Sequence, residues 1–346
     1  MRNKYNNSTD YFRDGIPSMF VVCSPLQAMC AISAIHDFNI VEYKVLLILD
    51  EDVRNEQLFN LLNSYKIQFS VYYTYEHSWY GLYMPFRQNS PLYNRIFVGD
   101  IRNFNLLAAA FKNIANCSNI VFLDDGNDTI SMLQGMEFVG STFMKKIKVW
   151  FIKKYFESIA YIRNIKYGKL LFTLYDIPNK NYIMKKNDLS VFITPQKNKK
   201  KQGIYIVGTN FDCYCCEGFV TKEECQKQMD DLFYSLKKQF KDDIIYYIPH
   251  GRDTSIFPKA LCIKHRVVYK KVDTTVELYL LGQVFAPLSI YGYTSSALIN
   301  LKLMFPDTLI YDMVFDKPTK SFHGKEIALI SSYYRTIGIK QLVYHT

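Results

Sequence analysis

The feature that most constrains the fold is an alternation of short apolar runs with helical patterns. The first run, Met19 to Cys23, is typical of a buried strand, and Ser24-Pro25 then supplies an N-cap and a first-turn proline for a helix. The same pattern predicts strands at 45–49, 67–73, 119–123, 203–207, 244–248, 266–269, 288–291 and 308–311, and helices at 52–65, 104–114, 276–281, from 221 and from 297. Such alternation predicts an α/β fold with parallel sheets, whose ligands lie at the carboxyl ends of the strands.

The length of 346 residues and the restart of the pattern after residue 200 predict two domains. The polar run Gln196 to Lys201 reads as a solvated linker, so we place the domains at 1–195 and 196–346. Thr221 and Glu224 form a capping-box pattern that supports a helix start in the second domain. Two α/β units of similar size predict two Rossmann-like domains that face a central cleft.

Charge and cysteine usage narrow the class of protein. Lys and Arg outnumber Asp and Glu by 42 to 32, a net charge of +10 that suits an anionic substrate, a membrane surface or a nucleic acid. No apolar run reaches the roughly 18 residues of a membrane span, and the polar N-terminus lacks a signal-peptide core, so we expect a cytoplasmic protein. The cluster Cys213, Cys215, Cys216 and Cys225 lacks paired spacing, which favours reduced thiols over a structural metal.

A basic and aromatic stretch from Met136 to Tyr175 is predicted to be helical and amphipathic. Lysines alternate with large aromatic side chains between Phe143 and Phe156. A helix that lies on a membrane surface has this composition, and so does a helix that packs one face on a core. Both interpretations remain open at this point.

The second domain contains two candidate anion-binding elements. The turn Thr294-Ser295-Ser296 precedes a helix, where hydroxyl and backbone N–H groups favour a phosphate, although a plain N-cap serine has the same pattern. His250 follows a strand within Ile248-Pro-His-Gly-Arg252, where an imidazole can donate to a phosphate oxygen or protonate a leaving group.

Carboxylates at strand ends are candidates for a general base. Asp124-Asp125-Gly126 follows one strand, and Asp212 lies in Gly208-Thr-Asn-Phe-Asp212 after another. Turn aspartates also bend or cap the chain without a catalytic role. Asp50-Glu51-Asp52 matches the DxD pattern of metal-dependent sugar transferases, but Asp52 is equally placed to cap the next helix. No GxxxxGK[ST], GxGxxG or GxSxG element occurs, which argues against nucleotide hydrolysis, hydride transfer and α/β-hydrolase chemistry.

Taken in order, four of these motifs resemble those of bacterial sialyltransferases, closest to glycosyltransferase family 52 with its lipooligosaccharide and capsule sialyltransferases. The resemblance covers residues 19 to 315 and rests on Ser24-Pro-Leu-Gln27, Phe122-Leu-Asp-Asp-Gly126, Tyr247-Ile-Pro-His250 and Tyr291-Gly-Tyr-Thr-Ser-Ser-Ala297. It implies a GT-B fold with an acceptor-side N-terminal domain and a donor-binding C-terminal domain. It also implies CMP-sialic acid as donor, a galactose-terminated surface glycan as acceptor, and inversion without a metal or other cofactor.

The resemblance also implies roles for individual residues. His250 would contact the CMP phosphate and assist its departure, and Thr294, Ser295 and Ser296 would bind that phosphate. Glu277 falls where related enzymes hold the ribose hydroxyls. Asp212 would be the catalytic base, and Gly208, which begins the same loop, would bind substrate. Asp124, Asp125 and Gly126 would line the acceptor side. Members of the family can be dimers, and contact with the inner face of an anionic membrane is compatible with the charge.

Two departures from the family pattern concern the His250 turn and the Asp212 loop. The family reads His-Pro where this chain has His250-Gly251, and the Asp212 loop aligns poorly. Glu217 or the Asp124-Asp125 pair are therefore alternative bases. Other interpretations are a transferase for CMP-Kdo or a nucleotide-hexose, a nucleic-acid-binding protein, and a catalytically inert membrane scaffold that acts through residues 143–156. Dispersed basic residues and the absence of an RNA-binding motif disfavour the nucleic-acid interpretation.

Overall fold

The computed structural model describes residues 10–50, 52, 54–74, 92–135, 143–193, 199–216, 220–315 and 322–344, and describes the backbone alone at 143–149, 152, 213, 214, 216, 322, 323 and 344. The chain divides into two compact units, Met1–Val191 and Phe192–Thr346. We call them unit 1 and unit 2 and describe each by itself.

Unit 1 contains a seven-stranded parallel sheet in the order β3-β2-β1-β4-β5-β6-β7. A 3₁₀ turn at Asp10–Phe12 precedes it. Its elements are β1 (Ser18–Val22), α1 (Pro25–Asp37), β2 (Tyr43–Leu49), α2 (Asn55–Ser64), β3 (Phe69–Tyr73), β4 (Tyr93–Val98), α3 (Phe104–Asn113), β5 (Ile114–Phe122), α4 (Asn127–Leu133), α5 (Phe143–Ile162), β6 (Lys166–Thr173) and β7 (Ile183–Lys186).

Unit 2 contains a six-stranded parallel sheet in the order β10-β9-β8-β11-β12-β13. Its elements are β8 (Ile204–Val207), α6 (Phe211–Cys216), α7 (Lys222–Gln239), β9 (Ile245–Ile248), α8 (Phe257–His265), β10 (Val268–Tyr269), α9 (Val276–Leu281), β11 (Ser289–Gly292), α10 (Ala297–Met304), β12 (Leu309–Phe315), α11 (Phe322–Thr336) and β13 (Lys340–Tyr344).

Local sequence signals account for several element boundaries. The Ser24 side chain accepts from the Gln27 N–H at 3.3 Å and Pro25 opens α1, as predicted. Thr221 and Glu224 form the predicted capping box at the start of α7. Strands β1 and β8, which precede these signals, are buried along their whole length, as is typical of a parallel sheet with helices on both faces.

The two hydrophobic cores lie against these sheets. In unit 1, the Phe20 and Phe97 rings of adjacent strands stack with centroids 4.7 Å apart. In unit 2, the Phe233 ring of α7 packs against Tyr247 of β9 and His265 of α8. Burial of large rings on both units supplies the apolar area that stabilises a fold of this size.

Two expectations about the elements are wrong. Helix α2 begins at Asn55 with no side-chain cap, so Asp52 does not cap it. The stretch from Met136 to Tyr175 is not helical throughout, because α5 ends at Ile162 and β6 occupies Lys166–Thr173. Helix α5 and strand β6 are both rich in apolar residues, and periodicity alone does not distinguish a short buried strand from a helix.

Several further elements were not predicted from the sequence. They are β4, α4, β6, β7, α6, α8, α11 and β13. Among the helices of the described part of the chain, none is both long enough and apolar enough to cross a bilayer.

Candidate functional site

The strand order of unit 2 creates a switch point at the carboxyl end of β8. Strand β8 lies between β9 and β11, and Val207 at its end is in register with Ile248 and Gly292 at the ends of its neighbours. The chain therefore leaves three adjacent strands at the same edge of the sheet. Ligands of open α/β sheets bind in the crevice at such a point. The structure thus brings three predicted site elements to one edge: Gly208, His250 and the turn Thr294-Ser295-Ser296.

Thr294 is held by a buried carboxylate, Asp312, that no sequence pattern indicated. Its backbone N–H and its hydroxyl donate to Asp312 Oδ1 at 2.7 and 3.2 Å, and Ser331 Oγ donates to Asp312 Oδ2 at 2.6 Å. Asp312 is completely buried on β12, and burial raises its pKa to about 6. Thr294 itself is buried, so in this structure it positions the turn and does not present its hydroxyl to solvent.

The two serines of the turn have different partners. Ser295 Oγ accepts from the Ala297 N–H at 3.4 Å, and the Ser295 carbonyl accepts from Leu298. Within the described residues, no hydrogen bond engages the Ser296 hydroxyl or the backbone N–H groups of Ser295 and Ser296. Ser295 and Ser296 are both partly exposed at the start of α10. Three donors therefore remain available at a helix N-terminus, where an anion is favoured.

His250 lies in a turn in which its own ring takes part. The Arg252 N–H donates to His250 Nδ1 at 3.2 Å, and the Asp253 N–H donates to the His250 carbonyl at 3.0 Å. A ring whose Nδ1 accepts a hydrogen bond carries its proton on Nε2 when neutral. Nε2–H is then a donor in both charge states, which suits contact with a phosphate oxygen.

Gly208 is required where it lies because its neighbours leave no room for a side chain. A Cβ at this position would lie 2.6 Å from the Tyr247 hydroxyl and 3.0 Å from the backbone nitrogen of His250. Tyr247 is completely buried, so its ring has little freedom to move. The absence of a side chain at Gly208 therefore allows β8 and the His250 turn to approach each other.

Asp212 holds the segment that follows the His250 turn. Its Oδ2 accepts from the Thr254 hydroxyl at 2.5 Å and from the Thr254 N–H at 3.1 Å, and its Oδ1 accepts from Ser255 Oγ at 2.9 Å. These hydrogen bonds, led by that of the Thr254 hydroxyl, lower the pKa of Asp212. A carboxylate stabilised in this way is a weaker base than a free one. Glu217, the alternative base, lies outside the described residues.

Glu277 is buried between two helices of unit 2. Its Oε1 accepts from Asn300 Nδ2 at 2.7 Å, which links α9 to α10. Burial raises the pKa of Glu277. Its predicted contact with ribose hydroxyls stays a prediction, and Asn300 is a partner that no local pattern indicated.

Unit 1 has its own switch point, between β1 and β4. Asp124 and Asp125 follow β5, the next strand along, as predicted. Asp124 is completely buried: Thr173 Oγ1 donates to its Oδ1 at 2.7 Å and the Leu174 N–H to its Oδ2 at 2.6 Å. Burial raises the pKa of Asp124 to about 7. With both oxygens bound inside the protein, Asp124 tethers β5 to the end of β6.

Asp125 is more accessible, with 28% of its side chain exposed. Gln27 Nε2 donates to its Oδ1 at 2.8 Å, and Arg102 Nη2 to its Oδ2 at 2.9 Å. Arg102 also pairs with Asp100 and Asp128, so its charge is shared among three carboxylates. Burial, followed by the like charges of Asp100 and Asp128, raises the pKa of Asp125.

Gly126 adopts a backbone conformation that other residues rarely reach. Its φ is 66° and its ψ is −138°, at the position that caps α4. Its carbonyl accepts from the Tyr175 hydroxyl at 2.9 Å. The glycine thus turns the chain sharply after the two aspartates and leaves Asp125 at the edge of the sheet.

The remaining metal-ligand candidates have other partners. Asp52 accepts from Arg54 through the backbone N–H, Nε and Nη2, at 2.9 to 3.3 Å, and Glu51 lies outside the described residues. Cys215 and Cys225 are not joined in a disulfide. Side-chain positions are not described for Cys213 and Cys216. Across the part of the chain that the structure describes, no group of three or more His, Cys, Asp and Glu side chains could hold a metal ion.

Comparison with known proteins rests on structure. No protein-family model matches the chain, and no curated protein matches its sequence. The fold is similar to that of an α/β-galactoside α-2,3-sialyltransferase from the luminous marine bacterium Photobacterium phosphoreum, with a TM-score of 0.55 and 12% identity over 95% of this chain and 99% of that chain.

It is also similar to a proposed UDP-N-acetylglucosamine 2-epimerase from Listeria monocytogenes, with a TM-score of 0.50 and 11% identity over 94% of this chain and 91% of that chain. At such identities the likeness concerns the fold, and one fold hosts several activities. The chain therefore has an α/β fold of GT-B type, built from two Rossmann-like domains.

Proposed function

We propose that the chain is an inverting glycosyltransferase that moves sialic acid from CMP-sialic acid to a terminal galactoside of a bacterial surface glycan, lipooligosaccharide or capsule. The observation that carries the proposal is the set of unengaged donors at Ser295 and Ser296, on the sheet edge that also carries His250. The likeness in fold to a galactoside sialyltransferase is a second, weaker support.

The chemistry of sialyl transfer matches these groups. As the bond between the anomeric carbon and the CMP phosphate breaks, negative charge develops on the phosphate oxygens. The Ser296 hydroxyl and the N–H groups of Ser295 and Ser296 can donate to that charge, and a donor placed in advance is worth more than one supplied by water. His250 Nε2–H can donate to the departing phosphate or protonate it.

The reaction also needs a base that removes the proton of the acceptor hydroxyl. Among the carboxylates left open above, we propose Asp125. Its side chain is partly exposed and its raised pKa brings it closer to the operating pH, where a general base is most effective. Asp212 has a lowered pKa and three donors bound, and Asp124 has both oxygens engaged within the fold. On this proposal Asp212 positions the His250 turn.

No step of this reaction requires a metal. The developing charge is met by hydrogen-bond donors, and the Asp52 carboxylate of the DxD pattern is paired with Arg54. We therefore propose that transfer is independent of metals and needs only the nucleotide-sugar donor and the acceptor.

The testing experiment measures CMP release from CMP-sialic acid with and without lactose, in the presence of EDTA. We expect acceptor-dependent release that persists in EDTA. The rate of release should fall by about two or more orders of magnitude in folded His250→Ala and Asp125→Asn proteins, which is the usual contribution of one general acid or base to the rate. Asp242→Ala, a change at an exposed loop residue, is the control. Release that EDTA abolishes would contradict the metal-free mechanism. A full loss in Asp212→Ala, with Asp125→Asn active, would move the base to Asp212.

A second candidate function comes from the likeness to the Listeria protein. A nucleotide-sugar epimerase would convert UDP-N-acetylglucosamine without any acceptor. Turnover of that compound, with none of CMP-sialic acid or CMP-Kdo, would replace the transferase proposal, and turnover of CMP-Kdo alone would change its donor.

A further inference from the structure

Helix α5 of unit 1 is apolar on both sides, although one of them faces solvent. On the inner side Phe156 and Ala160 are buried, and the Phe156 ring stacks on Phe111 of α3 at 4.8 Å. The opposite side carries five large apolar residues that remain exposed: Trp150 (55%), Phe151 (62%), Tyr155 (46%), Tyr161 (88%) and Ile162 (80%).

These five residues lie on one side of the helix, which we call the outer face of α5. At about 100° per residue, positions 150, 151, 155, 161 and 162 fall within an arc of about 140°, and the exposed Lys154 and Ser158 lie in the same arc. The Trp150 and Phe151 rings contact each other edge to face, with centroids 5.0 Å apart. Single exposed apolar residues are common on proteins, whereas five large ones on the same side of one helix indicate an interaction surface.

The charge of the helix indicates which partner fits that surface. Helix α5 carries five lysines and one glutamate. Lys154 lies within the outer face and pairs with Glu157 at 2.7 Å, and Lys153 is exposed beside it. Trp and Tyr rings combined with lysines are the composition of helices that lie at the interface of an anionic bilayer.

We propose that the outer face of α5 docks on an anionic lipid surface, with Trp150, Phe151 and Tyr155 among the headgroups and Lys153 and Lys154 close to lipid phosphates. The helix lies along the surface, since it is too polar to cross a membrane. A second copy of this chain is a poorer partner, because a symmetric contact would bring two lysine-rich helices together and their charges would repel. This inference does not depend on the proposed function.

The test uses the full-length protein in a vesicle sedimentation assay without donor or acceptor. Vesicles of phosphatidylcholine with about 30% phosphatidylglycerol are compared with pure phosphatidylcholine. We expect salt-sensitive binding to the anionic vesicles alone. Trp150→Ser/Phe151→Ser and Lys153→Glu/Lys154→Glu should each lower the partition coefficient by about tenfold or more. Tyr234→Ser, which removes an exposed aromatic ring from α7, is the matched control and should bind normally.

Fluorescence reports the same contact directly. The chain has two tryptophans, so a Trp79→Phe protein reports Trp150 alone, and its emission should shift to the blue when anionic vesicles are added. Unchanged emission, or undiminished vesicle binding by folded variants of the outer face, would overturn the proposal. So would a concentration-dependent dimer that Trp150→Ser/Phe151→Ser abolishes in a protein that binds no vesicles. Transfer to soluble lactose should be unaffected by these variants, so a failure of the transferase proposal remains distinguishable.

Discussion

Asp312 Oδ1 accepts hydrogen bonds from both the backbone N–H and the hydroxyl of Thr294, at 2.7 and 3.2 Å. Thr294 has a φ of 40°, in the left-handed region that β-branched residues rarely occupy. Such a conformation costs about 1–3 kcal/mol, which the buried carboxylate offsets. Thr294 turns the chain at the end of β11, and the partly exposed Ser295 and Ser296 follow it at the start of α10.

Replacement of Asp312 is expected to damage both stability and donor binding. Asp312→Ala leaves the Thr294 N–H and the Ser331 hydroxyl unpaired in the interior, which should lower the free energy of unfolding by about 2–4 kcal/mol. Because the serine turn would lose its anchor, the KM for the nucleotide-sugar should rise more than kcat falls. Chemical denaturation and steady-state kinetics measure the two effects.

Asp312→Asn is the matched control for that change. Its amide oxygen can still accept from Thr294, and its NH₂ can donate to the Ser331 oxygen, so it should lose about 1 kcal/mol or less. If Asp312→Ala folds and binds donor like the wild type, Asp312 has no part in positioning the turn.

Gly208→Ala is expected to disturb the His250 turn. The new Cβ would lie 2.6 Å from the Tyr247 hydroxyl, closer than packed atoms allow, so the Tyr247 ring or the turn must shift. We expect a loss of stability of about 1–3 kcal/mol and a larger proportional loss of transfer activity. Gly282→Ala, whose Cβ would meet nothing closer than 3.4 Å, controls for the change of residue type.

A second substitution tests whether the Tyr247 hydroxyl causes the damage. That hydroxyl is buried and has no hydrogen-bond partner in the described part of the chain, so Tyr247→Phe alone should be neutral or slightly stabilising. Added to Gly208→Ala, it removes the shortest contact and should restore part of the lost stability. A double variant no better than Gly208→Ala would place the damage at the His250 backbone.

The dependence of rate on pH is expected to distinguish Asp125 from Asp212. A general base works in its ionised form, so kcat/KM falls once the pH drops through its pKa. Burial and two neighbouring carboxylates raise the pKa of Asp125. If Asp125 is the base, the fall of kcat/KM at low pH, which we call the acid limb, should be centred above the pH of about 4 that is ordinary for aspartate. Hydrogen bonds lower the pKa of Asp212, so an Asp212-dependent limb would lie below that pH.

The variants make the pH experiment decisive. Asp212→Asn should retain the acid limb of the wild type with a reduced kcat, because only the His250 turn is affected. Asp128→Asn removes one of the like charges and should move the limb to lower pH. An acid limb that vanishes in Asp212→Asn would instead identify Asp212 as the base.

Gly99→Ala is expected to uncouple Gln27 from Asp125. A Cβ at Gly99 would lie 2.0 Å from Gln27 Oε1, and Gln27 is buried, so its side chain cannot simply turn aside. Gln27 also accepts from the Cys23 N–H at 2.8 Å, so the variant should lose two hydrogen bonds together. Its free energy of unfolding should decrease by about 1–3 kcal/mol. The midpoint temperature of thermal unfolding and the transfer activity should both decrease.

The double variant Gly99→Ala/Gln27→Ala separates packing from function. Removal of the glutamine makes room for the new methyl group, so stability should recover in part while activity stays low. Recovery of both quantities would show that the Gln27 contact with Asp125 is dispensable for transfer.

Local patterns in the sequence were sufficient for many element types and for several site positions. Ser24-Pro25 and the Thr221 capping box act within a few residues and were predicted correctly. The placement of Asp125, His250 and Ser296 after strands follows from the alternation of strands and helices. The Asp52 cap was wrong because Arg54, two residues away, binds that carboxylate and the helix starts later.

The partners that define the candidate site were decided by tertiary structure alone. Gln27 meets Asp125 across 98 residues, Arg102 meets Asp125 across 23, and Asp312 meets Thr294 across 18. Caps and strand patterns are short-range, since they depend on backbone groups a few residues apart. Strand order and buried side-chain pairs depend on which strands become neighbours, and that is settled only when the sheet is assembled and its faces are covered. The sequence by itself therefore determined the repeating α/β units and the loops that carry polar groups, whereas the packed sheets decided which carboxylates are held, shifted in pKa or left available for chemistry.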